Sequence, residues 1–294
     1  MINSSIDFYS IKTLTNLHVG SGDTNYEIVD NIVQRDPISG VPVIHSSSLK
    51  GATRQYYREA TGGGDNPSPE EIDIFGSDTS PRSKNTSDFS AGSHLFFEAR
   101  LLVLPIRSDR RQFFRAVCPE IMKEVIESWK VFGYKPQQDT QDAFQFIADR
   151  KTDAPKILSK TGEPKGFSVE HWDFSDQDIS PVTDPGLEKA EKIFGEHLVV
   201  VDIDSFKALC KKLPVIARNQ LENGMSQNLF YEEVVPRESR FFTFIMRPRE
   251  NNMTNLTSWL NLDDKRIQIG ANATIGYGQC HFSRLPGLLT PKNK

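Results

Sequence analysis

HVGSGDTNYEIVDNIVQRDPISGVPVIHSSSLKGATRQYYRE, residues 18–59, is the stretch from which the rest of the chain is read. It opens on a glycine-containing loop, Gly20-Ser21-Gly22, and reaches a lone carboxylate, Asp30, behind the apolar pair Ile28-Val29. An extended segment follows. A serine run then starts a helix, with Ser46 or Ser47 as the cap and Leu49, Ala52, Tyr56 and Ala60 falling near helical spacing. Lys50, Arg54 and Arg58 ride on that helix.

Upstream, residues 6–17 alternate as a strand, with Phe8, Ser10, Lys12 and Leu14 on one face and Tyr9, Ile11 and Thr13 on the other. Downstream, residues 61–93 form a long polar loop holding one helical turn at 69–75, and 95–106 (LFFEARLLVLPI) has the apolar density of a central strand. A helix begins near Pro119 and runs through Trp129, after which 135–187 turns polar and weakly periodic, as an insertion does. A strand at 199–206 and a short helix at 205–213 precede a hairpin over 218–233, where Asn223-Gly224 supplies the positive φ of a tight turn. Strands at 241–246 and 267–269 flank a helical turn at 256–260. This order suits an α+β fold with an antiparallel sheet, of ferredoxin-like or RRM type. It is read as one domain over 1–294, with insertions at about 61–93 and 135–187 and a projecting hairpin at about 214–236.

Composition narrows the function by exclusion. Lys and Arg number 35 against 39 Asp and Glu, a formal charge of -4, so any polyanion must be met by local cationic clusters rather than by a global excess. Three cysteines, Cys118, Cys210 and Cys280, lie far apart without CxxC or Cys/His spacing. That pattern argues against a disulfide scaffold or a structural zinc and fits a reducing cytoplasm. The opening MINSSIDFYSIKTL has no basic segment leading into an apolar run, and no stretch is long enough to span a bilayer. The expectation is a soluble, cytoplasmic protein with no membrane partner.

Three places carry candidate chemistry. The helix start offers free backbone N–H groups and the positive end of the helix dipole, to which Ser46, Ser47, Ser48, Lys50 and Gly51 add donors, charge and close approach. The alternative is an ordinary capped helix with a solvated cationic face. No GxxxxGK[ST] is present, which disfavours nucleotide hydrolysis. Asp30, placed beside an RNA phosphate, is suited to hold a divalent metal whose shell RNA oxygens and water complete, with His18 upstream to bind, orient or shuttle a proton. A turn-capping Asp and a packed His are the alternatives. GANATIGYGQC, residues 270–280, has glycines at 270, 276 and 278 that leave backbone N–H groups unobstructed for a sugar-phosphate chain, or make a glycine-rich hairpin. The RNP motif of an RRM is absent, so RNA would be gripped by loops and helix ends.

Taken together, several motifs occur in a telling order: His18-Val19-Gly20-Ser21-Gly22, Ile28-Val29-Asp30, Gln34-Arg35-Asp36, Gly40-Val41-Pro42-Val43-Ile44, Ser47-Ser48-Leu49-Lys50-Gly51-Ala52 and the terminal glycine loop. Residues 99–108, Val117-Cys118-Pro119 and 229–236 (LFYEEVVP) add to them. The chain resembles the RAMP superfamily, and within it the repeated backbone subunit of the type III-B CRISPR Cmr effector complex. The resemblance spans both ends and the middle and fades across 61–93 and 135–187.

That resemblance implies copies stacked head to tail along a guide RNA beside other Cmr subunits, each with a hairpin thumb that kinks guide–target pairing. Target RNA would be cut at each kink by the Asp30 carboxylate with a divalent metal, Mg²⁺ or Mn²⁺, through attack of the neighbouring 2′-hydroxyl. His18, Tyr231, Glu232 and Glu233 would support the cut. Ser46, Ser47, Ser48, Lys50, Gly51 and Arg54 would bind guide RNA, together with Gly270, Asn272, Thr274, Gly276, Tyr277 and Gly278. Arg107, Arg110, Arg111, Arg115, Arg237, Arg240, Arg247 and Arg249 are candidates for the same groove or for subunit contacts. Two other functions fit the resemblance: a catalytically inactive structural backbone, and a stand-alone endonuclease processing precursor guide RNA.

Overall fold

The computed structural model describes residues 4–22, 29–63, 66–77, 90–176, 178–222, 225–248 and 260–287. The first half contains β1 (Ser4–Thr13), β2 (Val43–Ile44), α1 (Ser46–Ala60), α2 (Pro69–Phe75), β3 (Leu95–Phe96), β4 (Ala99–Ile106), β5 (Phe114–Val117) and α3 (Pro119–Phe132). Next come α4 (Gln138–Ala148), β6 (Lys156–Leu158), β7 (Ser168–Val169), β8 (Trp172–Asp173), α5 (Gly186–Phe194), β9 (Leu198–Val200) and α6 (Ile203–Cys210). The chain closes with β10 (Val215–Glu222), β11 (Met225–Glu233), β12 (Arg240–Pro248), β13 (Lys265–Gln268), a 3₁₀ turn (Ala273–Ile275) and β14 (Gln279–Leu285).

The main sheet runs β13-β14-β1-β12-β4-β5-β9-β6. Its inner four strands, β14-β1-β12-β4, are antiparallel throughout. In chain order these are the fourth, first, third and second core strands, the ferredoxin-like arrangement expected from the sequence. Among the named strands only β5 and β9 pair in parallel. The helical turn expected at 256–260 and the turn residues Asn223-Gly224 fall largely or wholly outside the described residues.

β1 is shorter than expected, leaving the sheet after Thr13, and it is covered on both faces. Phe8 stacks on Phe244 at 4.7 Å and meets Trp129 and Phe144, while Tyr9 on the other face meets Phe282. A strand covered on both sides need not alternate polar with apolar. The 95–106 strand is broken after Phe96, and both pieces pair with β12.

The stretch 135–187, expected as a polar insertion, supplies part of the core. α4 buries Thr140, Ala143, Phe144 and Ile147 on one helical stripe, and the Phe144 ring lies 4.9 Å from Trp129 and 4.9 Å from Phe194. The polar face of this helix masks that stripe in the composition of the stretch as a whole.

α1 begins at Ser46, as expected, but no serine caps it. His45 holds the cap position and makes no side-chain cap bond. Gln34 does the tying instead: its Oε1 accepts from the His45 N–H at 2.8 Å, and its Nε2 donates to Ser48 Oγ at 3.0 Å and the Gly20 carbonyl at 3.2 Å. The expected hairpin is present as β10–β11, a separate two-stranded sheet with Val215 opposite Glu233 at its base. It stands away from the core, with Met225, Leu229 and Tyr231 exposed.

Candidate nucleic-acid interface

Asp30 stands at the surface, at the base of the hairpin. One carboxylate oxygen, Oδ2, accepts a hydrogen bond from the Tyr231 backbone N–H at 2.7 Å, and the residue is exposed. The next residue continues the attachment: Asn31 pairs in parallel with Glu232, its N–H donating to the Tyr231 carbonyl at 3.2 Å and its carbonyl accepting from the Glu233 N–H at 2.9 Å. The segment carrying the carboxylate is therefore an added strand on the root of β11. Residues 23–28 of the loop lie outside the described residues.

Glu232 and Glu233 are consecutive on a strand, so their side chains point to opposite faces and each needs its own partners. Glu232, 4% exposed, takes Arg218 of β10 at 2.8 Å and the Asn272 amide at 2.9 Å. Glu233 takes Arg35 at 2.5 Å and the Val33 N–H at 3.1 Å. His18 is buried between them: Nδ1 donates to the Glu233 carbonyl at 2.7 Å, and Nε2 lies 3.6 Å from Glu232. A carbonyl only accepts, so Nδ1 carries the hydrogen. His18, Glu232 and Glu233 thus support Asp30 from beneath, as a buried polar network, and do not face the surface.

The glycine loop closes on the same network. The His18 carbonyl accepts from the Ala271 N–H at 2.9 Å, and a Cβ on Gly270, which sits at φ +79°, would run into that carbonyl oxygen. Gly278, at φ +74°, is likewise pressed against the Ile269 carbonyl. Asn272 takes φ +66° and aims its amide at Glu232, while Tyr277 lies under the Arg218 guanidinium at 4.7 Å, within cation–π reach. Gly270, Thr274 and Gly276 stay exposed. The loop expected to follow a sugar-phosphate chain is therefore bound to the root of the hairpin through Asn272, Tyr277 and Gly270.

The helix start joins this assembly through Gln34, which bridges Ser48 to Gly20, two residues from His18. Ser47 and Gly51 are exposed, and Ser46 and Lys50 half-buried. Arg54 is committed elsewhere: it and Arg58 grip the buried Glu71 of α2, at 2.7 and 2.5 Å. Burial works against the Glu71 charge, but the hydrogen bonds from Arg58 and Arg54 win and hold its carboxyl below the ordinary range. Most of the other arginines proposed for a groove are also paired inside the protein, Arg110 and Arg111 with Glu163, Arg107 with Glu170, Arg115 with Glu238 and Arg247 with Asp7. Arg249 lies outside the described residues.

Gln34 and Arg35 stand in one of the motifs that carry the resemblance and Arg218 opens the hairpin, but the sequence assigns none of the three a part in the site. The signal available was the Glu232-Glu233 pair itself. Two adjacent acids at the buried end of a strand demand a cation on each face, and the hairpin partner strand and the Gln34-Arg35 segment are where such cations stand.

For a divalent metal the donor set is sparse. Glu232 and Glu233 are spent on arginines, and no group of three or more His, Cys, Asp or Glu side chains gathers among the described residues. Among the described carboxylates of this site Asp30 is the one with an oxygen to lend, and an ion held there would draw further ligands from RNA phosphates and water, an arrangement common for Mg²⁺. No helix among the described residues is long and apolar enough to cross a membrane.

Known proteins resemble the chain in sequence and in fold. The chain is 29% identical over 290 residues to the CRISPR system Cmr endoribonuclease Cmr4 of Pyrococcus furiosus, covering 91% of this chain and 92% of that protein. Its fold is similar to that of a chain in the type III-B Cmr-beta complex bound to cognate target RNA, with a TM-score of 0.72 at 19% identity, covering 96% and 98% of the two chains. It is also similar to oligomeric Cmr4 from Pyrococcus furiosus, with a TM-score of 0.66 at 20% identity over 96% and 98%. The model of the RAMP superfamily matches residues 10–281, and the chain belongs to that superfamily.

Proposed function

We propose that this protein is a repeated backbone subunit of a type III-B CRISPR ribonucleoprotein, acting in the cytoplasm, that binds guide RNA along its length and cleaves complementary target RNA at regular intervals. The observation that carries the reading is Asp30: an exposed carboxylate pinned by the Tyr231 N–H at the root of a projecting hairpin, over a buried network. The likeness to an endoribonuclease and to a subunit of a target-bound complex supports it.

The chemistry follows from the parts. The 2′-hydroxyl gives its proton to water as its oxygen bonds to phosphorus, and the bond to the 5′-oxygen breaks as that oxygen takes a proton from water, leaving a 2′,3′-cyclic phosphate and a 5′-hydroxyl. The hairpin holds the two strands out of register at one step, so a single linkage lies near Asp30. Asp30 would hold a divalent ion, Mg²⁺ or Mn²⁺, which when bound supplies positive charge at the phosphoryl oxygens. Its Oδ2 stays on the Tyr231 N–H, which fixes the direction of the other oxygen. His18, Glu232, Arg218 and Asn272 keep the hairpin root and the glycine loop together, and act on the reaction only through Asp30 and the RNA path.

Guide RNA would run over the exposed Gly270, Thr274 and Gly276 and the α1 start at Ser46, Ser47, Ser48, Lys50 and Gly51. These are backbone, hydroxyl and point-charge contacts, which hold phosphates without reading sequence. Further copies, head to tail, and other subunits complete the assembly.

The test is to assemble the complex on guide RNA and add labelled complementary RNA with Mg²⁺. Evenly spaced cuts that vanish in Asp30→Ala while target binding persists support the reading. Binding without cuts in the wild type leaves an inactive structural backbone, and cutting of repeat RNA by the isolated chain leaves a processing enzyme.

A further inference from the structure

Ile38 is 95% exposed, the most exposed of the large apolar side chains described. A lone surface isoleucine needs no explanation by itself. This one is held out on a braced turn. Asp36 Oδ1 accepts from the Ile38 N–H at 3.1 Å and the Ser39 N–H at 2.6 Å, the Gly40 N–H returns to the Asp36 carbonyl at 2.9 Å, and Arg35 donates to the Gly40 carbonyl at 2.9 Å. Gly40 takes φ +72°, which closes the turn. Arg35 is the same residue that grips Glu233, so the turn is anchored to the buried network.

Across α6 lies a concavity of about 530 Å³. Leu104, Phe113, Leu209 and Leu213 give it an apolar floor, and Lys212 and Arg237 stand on its rim. Its one carboxylate, Glu170, is paired with Arg107. No described acid pairs with Lys212 or Arg237. Ile203 and Lys207 of α6 border the groove beside Ile38, whereas Ala208 and Leu209 border the concavity, so this helix separates the two.

We propose that Ile38 of one copy seats in the α6 concavity of the next copy, with Asp36 facing Lys212 and Arg237. This rests on the head-to-tail reading above. Ile38 and the concavity are different patches on the two sides of α6, and pairing one with the other between copies oriented alike is a heterologous contact, which propagates instead of closing on itself. Asp36, which also feels Arg100 of its own chain, and the rim cations, which no described acid pairs, set its polarity. A turn this stiff loses little freedom on docking.

The experiment mixes full-length Ile38→Cys copies with full-length Ala208→Cys copies on guide RNA and adds a short bis-maleimide linker. Both positions are exposed, and the three native cysteines are buried, so the background is silent. Cross-linked dimers in the mixture, and none in either variant alone, are expected. Assembly on guide RNA without cross-links, or cross-links in Ile38→Cys alone, overturns the proposal while the head-to-tail reading stands. No stacking on guide RNA by the wild type sinks that reading and the proposal with it. Ile38→Glu is expected to weaken stacking at least tenfold without changing the thermal midpoint of the isolated chain. Unchanged stacking counts against the docking.

Discussion

The Asp30 carboxylate and the Tyr231 backbone N–H lie 201 positions apart in the chain and 2.7 Å apart in the structure. The bond uses the peptide of Tyr231, not its phenol, so the side chain at 231 is free to face outward. It also separates charge from geometry. Asp30→Asn keeps an acceptor for the Tyr231 N–H and loses the negative charge. Cutting of target RNA is expected to fall by roughly 10²-fold or more in both Asp30→Asn and Asp30→Ala. Full activity in Asp30→Asn, measured on the assembled complex, would reduce Asp30 to a loop cap.

Arg218 neutralises a buried carboxylate. Arg218→Ala leaves Glu232 without its cation in the interior, a loss on the order of 3 kcal/mol. Replacing both partners by Met removes the stranded charge and restores most of that stability. Urea unfolding of the two variants tests this, and equal losses in both would mean that the packing of Arg218 on Tyr277 matters more than the pairing.

Lys50 and Arg54 sit one turn apart on α1 and should behave differently. Lys50→Ala is expected to weaken guide RNA binding and to lower the salt slope by about 0.7, the value for one phosphate contact on a single strand. Arg54→Ala should instead lower the thermal midpoint, because Glu71 loses a partner, with little change in the slope. Titrations at several salt concentrations, alongside melting curves, separate the two.

His94 gives the fold an acid-side weakness. It is buried, and burial pulls its imidazole down to about 4, with no hydrogen-bond partner for Nε2 among the described residues. Unfolded, it titrates near 6.5, so between those values the unfolded chain binds the extra proton. Stability contributed here is complete above pH 6.5 and falls as pH drops toward 4, by about 1.4 kcal/mol for each unit crossed. Denaturation at pH 7 and pH 5 should show that loss, reduced in His94→Gln. An identical pH dependence in the variant would point to other groups.

Gly270→Ala tests the loop. The added methyl meets the His18 carbonyl at a positive φ, so the loop must shift away from the hairpin root. Weaker RNA binding together with a lower thermal midpoint is the expected result in gel-shift and melting assays.

Much of the scaffold could be read from local pattern. The α1 start, α2, the α3 start at Pro119, the β10–β11 hairpin and β12 all announce themselves by periodicity or by turn residues, because each depends on neighbours close in sequence. The helix cap could not be found that way, since Gln34 reaches it from 11 residues upstream. Nor could the core role of α4, whose stripe faces Phe8 from more than a hundred positions away. Asp30, the glycine loop and the hairpin were each visible as segments. Their convergence followed from the family resemblance and not from local pattern, because it depends on Asn272, Arg218 and Arg35 meeting two acids whose faces are set only once β11 has formed.

The parallel pairing of Asn31 with Glu232 ties the Asp30 carboxylate and the hairpin root into a single lever. In the proposed assembly, a guide–target duplex that pushes the hairpin aside also swings the acid away from the strand.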